Sequence, residues 1–163
     1  MKTPATGPAE QRIAKITLDE RTVVRRNADV EHERAVAIFD LLEENSFAPS
    51  SGVSGPFHVY LAIEEGRVIL DIRSTEEAPL ERIALPLAPL RSIVKDYFMI
   101  CESYYAAIKK LSPSQIEALD MGRRGLHNEG SEVLRERLAG KVDVDFDTAR
   151  RLFTLICALL ART

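Results

Sequence analysis

The run Asp120-Met-Gly-Arg-Arg-Gly-Leu-His-Asn-Glu-Gly-Ser131 gathers two arginines, a histidine, an asparagine and two carboxylates among three glycines. These residue types suit recognition of an anion. Arg123 or Arg124 can grip a phosphate or carboxylate through its planar guanidinium fork. Backbone N–H groups of a turn would assist. His127 can move a proton, because its unperturbed pKa lies near physiological pH. Asp120 or Glu129 would orient that histidine, while Asn128 and Ser131 complete a ligand-binding set. The same residues also support a purely structural reading. One arginine pairs with Asp120 or Glu129, and His127 and Asn128 tie off backbone through hydrogen bonds.

What presents these side chains depends on the glycines. Glycine inside a helix costs roughly 1 kcal/mol relative to alanine, so Gly122, Gly125 and Gly130 would cost about 3 kcal/mol together. That cost favours a break. One helix ends near Gly122, a turn runs through Gly125, and a second helix starts near Asn128 or Ser131, both good N-caps. In an unbroken helix, Asp120, Arg124, His127, Asn128 and Ser131 share one face at spacings of three and four. Gly122, Leu126 and Gly130 then line another face, where a second helix could approach.

Other candidate chemistry is sparse. Glu31, His32 and Glu33 have metal-ligand types, but consecutive helical residues point in different directions. Asp143, Asp145 and Asp147 imitate the opening of a calcium loop without its glycine or distal glutamate. No metal site is expected. Cys101 and Cys157 lie in apolar helical runs and read as buried thiols. The 163 residues carry a net charge of −3. Arg123, Arg124, Arg135, Arg137, Arg150 and Arg151 could form a basic face, but intervening carboxylates argue against nucleic acid. The segment 29–81, with twelve acidic and three basic side chains, reads as a solvated face or the partner of a basic surface. No run is long enough to span a bilayer, and the N-terminus lacks a signal peptide's apolar core. The expected location is the cytoplasm.

The elements follow from periodicity. Residues 1–11 read as a disordered tail and 12–163 as one α+β domain. Arg12–Leu18 is a short strand. Asn27 or Asp29 caps a helix running to about Asn45, with Val30, Ala37, Ile38, Leu41 and Leu42 inward. Phe47–Pro56 is a flexible loop. Phe57–Glu64 and Arg67–Arg73 alternate around a two-residue turn at Glu65-Gly66. That register sets Ile63 opposite Val68, Leu61 opposite Leu70 and Val59 opposite Ile72, with His58 opposite Arg73 on the outer surface. Leu80–Leu85 completes an antiparallel meander. Pro89 opens a long helix through Leu111, and Ser112-Pro-Ser-Gln115 is a capping box for the next. Gly140 suits the end of the helix over 131–139. Val142–Phe146 is a short edge strand, and Asp147 caps a final helix. The architecture is therefore an antiparallel sheet, the meander plus short N-terminal and late edge strands, packed on four or five helices.

Several of these segments together resemble an uncharacterised bacterial protein family, number 0262 in the UPF series. The resemblance rests on Val30–Glu44, on Val94-Lys-Asp-Tyr-Phe98 with Cys101-Glu-Ser-Tyr-Tyr105, and on Pro113–Glu117 running through Asp120–Ser131 to Leu134–Gly140. Asp145-Phe-Asp-Thr-Ala-Arg-Arg-Leu-Phe153 follows. It covers about Ile13 to Ala158, with departures in the tail and the 47–56 loop. It implies a cytoplasmic protein of alphaproteobacterial type, with no cofactor and no assigned activity. Two functions are compatible with the residues. One is a non-enzymatic binding or regulatory domain, as a homodimer or with a protein partner. The other is an enzyme or small-ligand binder that recognises an anionic group at 120–131.

Overall fold

A computed structural model describes residues 10–21 and 28–161. Strand β1 (Ile13–Leu18) leads to helix α1 (Ala28–Glu43), then β2 (Phe47–Pro49) and the meander β3 (Phe57–Glu64), β4 (Arg67–Ser74) and β5 (Pro79–Pro86). Helices α2 (Ala88–Ala107) and α3 (Pro113–Leu138), strand β6 (Val142–Val144) and helix α4 (Phe146–Leu160) complete it. The fold is α+β, with four helices among the described residues.

The meander has the register its alternation predicts. Ile63 pairs with Val68, Leu61 with Leu70, Val59 with Ile72 and His58 with Arg73. Glu65 and Gly66 both take positive φ, as a tight turn matching strand twist requires. The inward set Val59, Leu61, Val68, Leu70, Ile72, Ile83 and Leu85 is buried. Two strand placements differ from expectation. β1 joins the meander in parallel, beside β3, so the four-stranded sheet is mixed. The late strand does not reach that sheet. β6 pairs antiparallel with β2, inside the segment expected to be a flexible loop. β2 is only Phe47-Ala48-Pro49, which shows no alternation of apolar and polar residues and ends in a proline that argues against a strand.

Other boundaries also moved. Residues 1–9 of the expected tail lie outside the described residues, as does Asn27. Gln11, however, is tied down: its side chain accepts from Gly55 N at 2.7 Å and donates to the Val53 carbonyl at 3.0 Å. Leu42 is surface-exposed rather than inward, and α2 stops at Ala107, leaving Ile108 and Leu111 exposed. Asp145, not Asp147, caps α4, accepting from Thr148 N at 2.8 Å. The Ser112 capping box forms as expected.

The largest correction concerns 120–131. Helix α3 is continuous over 26 residues. Two of its glycines let neighbouring helices come close. A Cβ on Gly122 would stand 2.6 Å from Ile100 Cδ1 of α2. A Cβ on Gly130 would meet three atoms of the Phe153 ring of α4, the farthest at 2.8 Å. Burial of Phe153, Leu134 and Leu138 in the resulting contacts offsets the glycine cost. Gly125 touches nothing within 4 Å.

On the outer face of the sheet, His58 and Tyr60 of β3 meet Glu77, in the turn between β4 and β5. Glu77 accepts from Tyr60 Oη at 2.5 Å, pairs with His58 Nδ1, and lies 3.5 Å from Arg73 Nη1. Arg73 stacks over the Tyr60 ring at 4.2 Å. These hydrogen bonds, first from Tyr60 and then from His58, lower the Glu77 pKa to about 2.

Candidate functional site

A cavity of about 380 Å³, open to solvent, lies where α1, α3 and α4 converge over Tyr97 of α2. Helix α3 supplies Arg123, Arg124 and His127; α4 supplies Arg150, Arg151 and Thr154. His32, Glu33, Val36, Ala37 and Asp40 of α1 close the third side. The helical repeat explains each set. Residues 123 and 127 are one turn apart on α3, as are 150 and 154 on α4, and 33, 36, 37 and 40 follow one face of α1 over two turns.

The arginines differ in how far they are already engaged. Arg123 Nη2 donates to Asp120 at 2.6 Å, and its guanidinium stacks 4.7 Å over Tyr104. Arg124 reaches the other Asp120 oxygen at 3.0 Å and is largely exposed. Arg151 Nε stands 3.9 Å from Asp40, and Arg123 Nη1 3.9 Å from Glu33, both too long for hydrogen bonds. Glu33 is otherwise occupied, since Tyr97 Oη donates to it at 3.4 Å and Tyr105 Oη also hydrogen-bonds to it. Arg150 has no acidic partner among the described residues. The buried Nε atoms of Arg123, Arg150 and Arg151 all lack a hydrogen-bond partner.

His127 is 9% exposed. Its ring packs between Tyr97 and Phe153, with centroids 5.4 and 5.2 Å away. Nε2 lies 2.7 Å from Thr154 Oγ1, and that hydroxyl lies 3.2 Å from the Arg150 carbonyl. Which of Nε2 and the hydroxyl donates in this contact depends on the ring tautomer. Nδ1 is buried without a partner. Burial, followed by repulsion from Arg150, Arg123 and Arg151, lowers the His127 pKa to about 4. The imidazole is neutral at pH 7.

Of the candidate residues in the 120–131 run, three line the cavity: Arg123, Arg124 and His127. Asp120 stands behind them and holds both arginines. Asn128 and Glu129 are exposed and do not line it. Ser131 is fully buried and donates to the His127 carbonyl at 2.7 Å. Arg135 and Arg137 are also apart from it, with Arg135 3.7 Å from Glu132. Sequence reasoning missed Thr154, Glu33 and Asp40 as neighbours of this site, and set Arg150 and Arg151 only on a broad basic face. A usable signal was present, because Arg150-Arg151 and Thr154 interrupt an otherwise apolar run over 149–160.

Nothing at the site gathers ligands for a metal. No group of three or more His, Cys, Asp or Glu side chains is suitably placed among the described residues. Cys101 and Cys157 are buried free thiols; burial raises the Cys101 pKa to about 11 and moves Cys157 well upward.

Fold and site together define an α+β protein with an arginine-lined cavity between three helices. The chain belongs to the uncharacterised protein family UPF0262, whose family model matches residues 10–162. A UPF0262 protein of Paramagnetospirillum magneticum is 66% identical over 155 residues, covering 95% of this chain and 99% of the relative. One from Rhodospirillum rubrum is 65% identical over 147 residues, covering 90% and 91%. Another, from Azorhizobium caulinodans, is 58% identical over 154 residues, covering 93% and 95%. No solved structure matches the chain. The family is uncharacterised, so membership assigns no activity. No helix among the described residues is long and apolar enough to cross a membrane.

Proposed function

We propose that this protein is a cytoplasmic, non-enzymatic binding domain whose cavity between α1, α3 and α4 takes a small anionic molecule through a phosphate or carboxylate group. The observation that carries this reading is an excess of positive charge: Arg123, Arg124, Arg150 and Arg151 line one cavity against the carboxylates of Glu33 and Asp40, and Arg150 has no acidic partner among the described residues. An oxyanion among the guanidinium groups would form charge-assisted hydrogen bonds.

Binding is favoured over catalysis by the state of the candidate groups. A histidine with a pKa near 4 is a weak base at neutral pH. Exposed Val36 and Phe39 on α1 support a second element of the proposal, a protein partner or second copy docking beside the cavity.

The test is a thermal-shift screen with phosphorylated and carboxylated metabolites. A ligand at about 100 times its Kd should raise Tm by roughly 5 °C or more. Arg150→Ala should abolish that rise while leaving the unliganded Tm nearly unchanged. A panel that leaves Tm unmoved sinks the reading.

A further inference from the structure

Exposed apolar surface and unbalanced charge coincide at two places on this molecule. On α1, Ala35, Val36, Phe39 and Leu42 are exposed at spacings of three and four, and Phe39 is 65% exposed. Glu43 in the last turn of α1 and Glu44 just past it are exposed beside them, and that turn has no basic side chain. The helix dipole opposes negative charge at a C-terminus, so α1 itself does not balance these two glutamates. The second place is Ile108-Lys109-Lys110-Leu111, between α2 and α3. Its apolar members are 50% and 43% exposed and enclose two exposed lysines. The two patches hold five of the seven large exposed apolar side chains among the described residues. Glu43, Glu44, Lys109 and Lys110 form no ion pair among those residues. We infer that the patches are the halves of one interface, in which a second copy of this chain lays its 108–111 turn against α1, lysines towards glutamates. This inference rests on the docking element of the proposed function and commits it to one occupant.

The turn and the acidic end belong to opposite ends of the α1 stripe. Tyr97 lines the cavity with Ala37, whereas Tyr105 meets Val30 and hydrogen-bonds to Glu33. Helix α2 therefore runs past α1 in the opposite direction and carries 108–111 towards the N-terminal end of α1. A twofold axis across the stripe then makes the same contact twice. Each copy's lysines reach the other's glutamates, and the apolar stripes cover one another between them. Charge also fixes the orientation. A parallel contact would set Glu43 and Glu44 against their own counterparts, and like charges brought together oppose association. Burial of Phe39 and its neighbours supplies the affinity, while the charged ends supply the register.

Sedimentation equilibrium on the full chain tests this. The wild type should dimerise, and less tightly in high salt. Phe39→Asp should raise the dimer dissociation constant at least about 30-fold, the scale of an interface anchor. Lys109→Glu with Lys110→Glu should raise it about 10-fold or more. Adding Glu43→Lys and Glu44→Lys to that variant should return it to within about threefold of the wild type, because the exchanged charges pair again. All five side chains are exposed, so each variant keeps its fold, which its urea midpoint verifies. A wild type that stays monomeric at every concentration overturns the inference and leaves the α1 face to a different protein. A dimer that ignores Phe39→Asp overturns the docking reading as well. Failure of the fourfold exchange to restore association overturns the pairing of the two patches, and the inference with it. The anion site is read separately, from the Tm of the wild type with phosphorylated and carboxylated metabolites.

Discussion

Two regions of this molecule contain nearly the same side chains and use them differently. On the outer sheet face, His58, Tyr60, Arg73 and Glu77 bond to one another. None of their atoms is buried without a partner. At the helical cavity, His127, Tyr97, Arg123, Arg150, Arg151 and Glu33 also assemble, yet four buried atoms remain unmatched. The contrast shows that residue type and proximity do not mark a binding site. An arginine beside a histidine and a carboxylate becomes a structural network when every donor finds an acceptor. At the cavity the arginines outnumber the carboxylates, and that excess of charge is what the anion-binding proposal rests on.

The strongest way to break this contrast is to disturb the helix contact under the cavity. Gly130→Ala would drive a methyl group into the Phe153 ring, which is sealed in the core. Overpacking of this kind should cost about 3 kcal/mol, read from urea unfolding. Ligand-induced stabilisation should disappear with it, while the sheet-face network is untouched.

Acid sharpens the comparison, because the two regions fail in different pH windows. The folded pKa of His127, about 4, lies below its ordinary value of 6.5. Above pH 6.5 the ring is neutral in both folded and unfolded chains, and the full stability is present. Between pH 6.5 and 4 the unfolded chain takes up a proton that the folded one refuses, so stability falls, by about 3 kcal/mol in all. Glu77 is also depressed, from 4.5 to about 2, so its contribution is present above pH 4.5 and lost from there down to about 2. Urea unfolding across pH 7 to 4 should slope in the wild type and flatten in His127→Gln. An unchanged slope in that variant would assign the loss to other groups.

The smallest effect is expected at the exposed network. Glu77→Gln weakens the bonds to His58, Tyr60 and Arg73, which solvent screens. Its urea midpoint should move less than that of Gly130→Ala, and anion-dependent stabilisation at the cavity should be unchanged. A loss of ligand stabilisation in Glu77→Gln would erase the distinction between the two regions.

The legible parts of this protein were local. The Glu65-Gly66 turn and the alternation on either side of it fixed the β3–β4 register, because a one-residue slip would expose the whole apolar set. The Ser112 capping box was readable for the same reason, since its partners are three residues apart. What could not be read involved distant segments. The cost of glycine in a helix is a local quantity and pointed to a break at 120–131. The compensation comes from Ile100 and Phe153, which approach Gly122 and Gly130 from two other helices. Pairing of β2 with β6 likewise joins segments almost a hundred residues apart.

From its amino acids alone this chain determined the meander, the Ser112 capping box, the family resemblance and a cluster rich in arginine and histidine. Only the tertiary structure decided which members of that cluster face one another. Asn128 and Glu129 turned to solvent, and Ser131 was spent on the His127 carbonyl. Arg150, Arg151 and Thr154 arrived from α4. Hydrophobic periodicity sets which face of a helix is buried, but satisfaction of a buried polar atom depends on what the neighbouring helix brings to it, and that is fixed by packing.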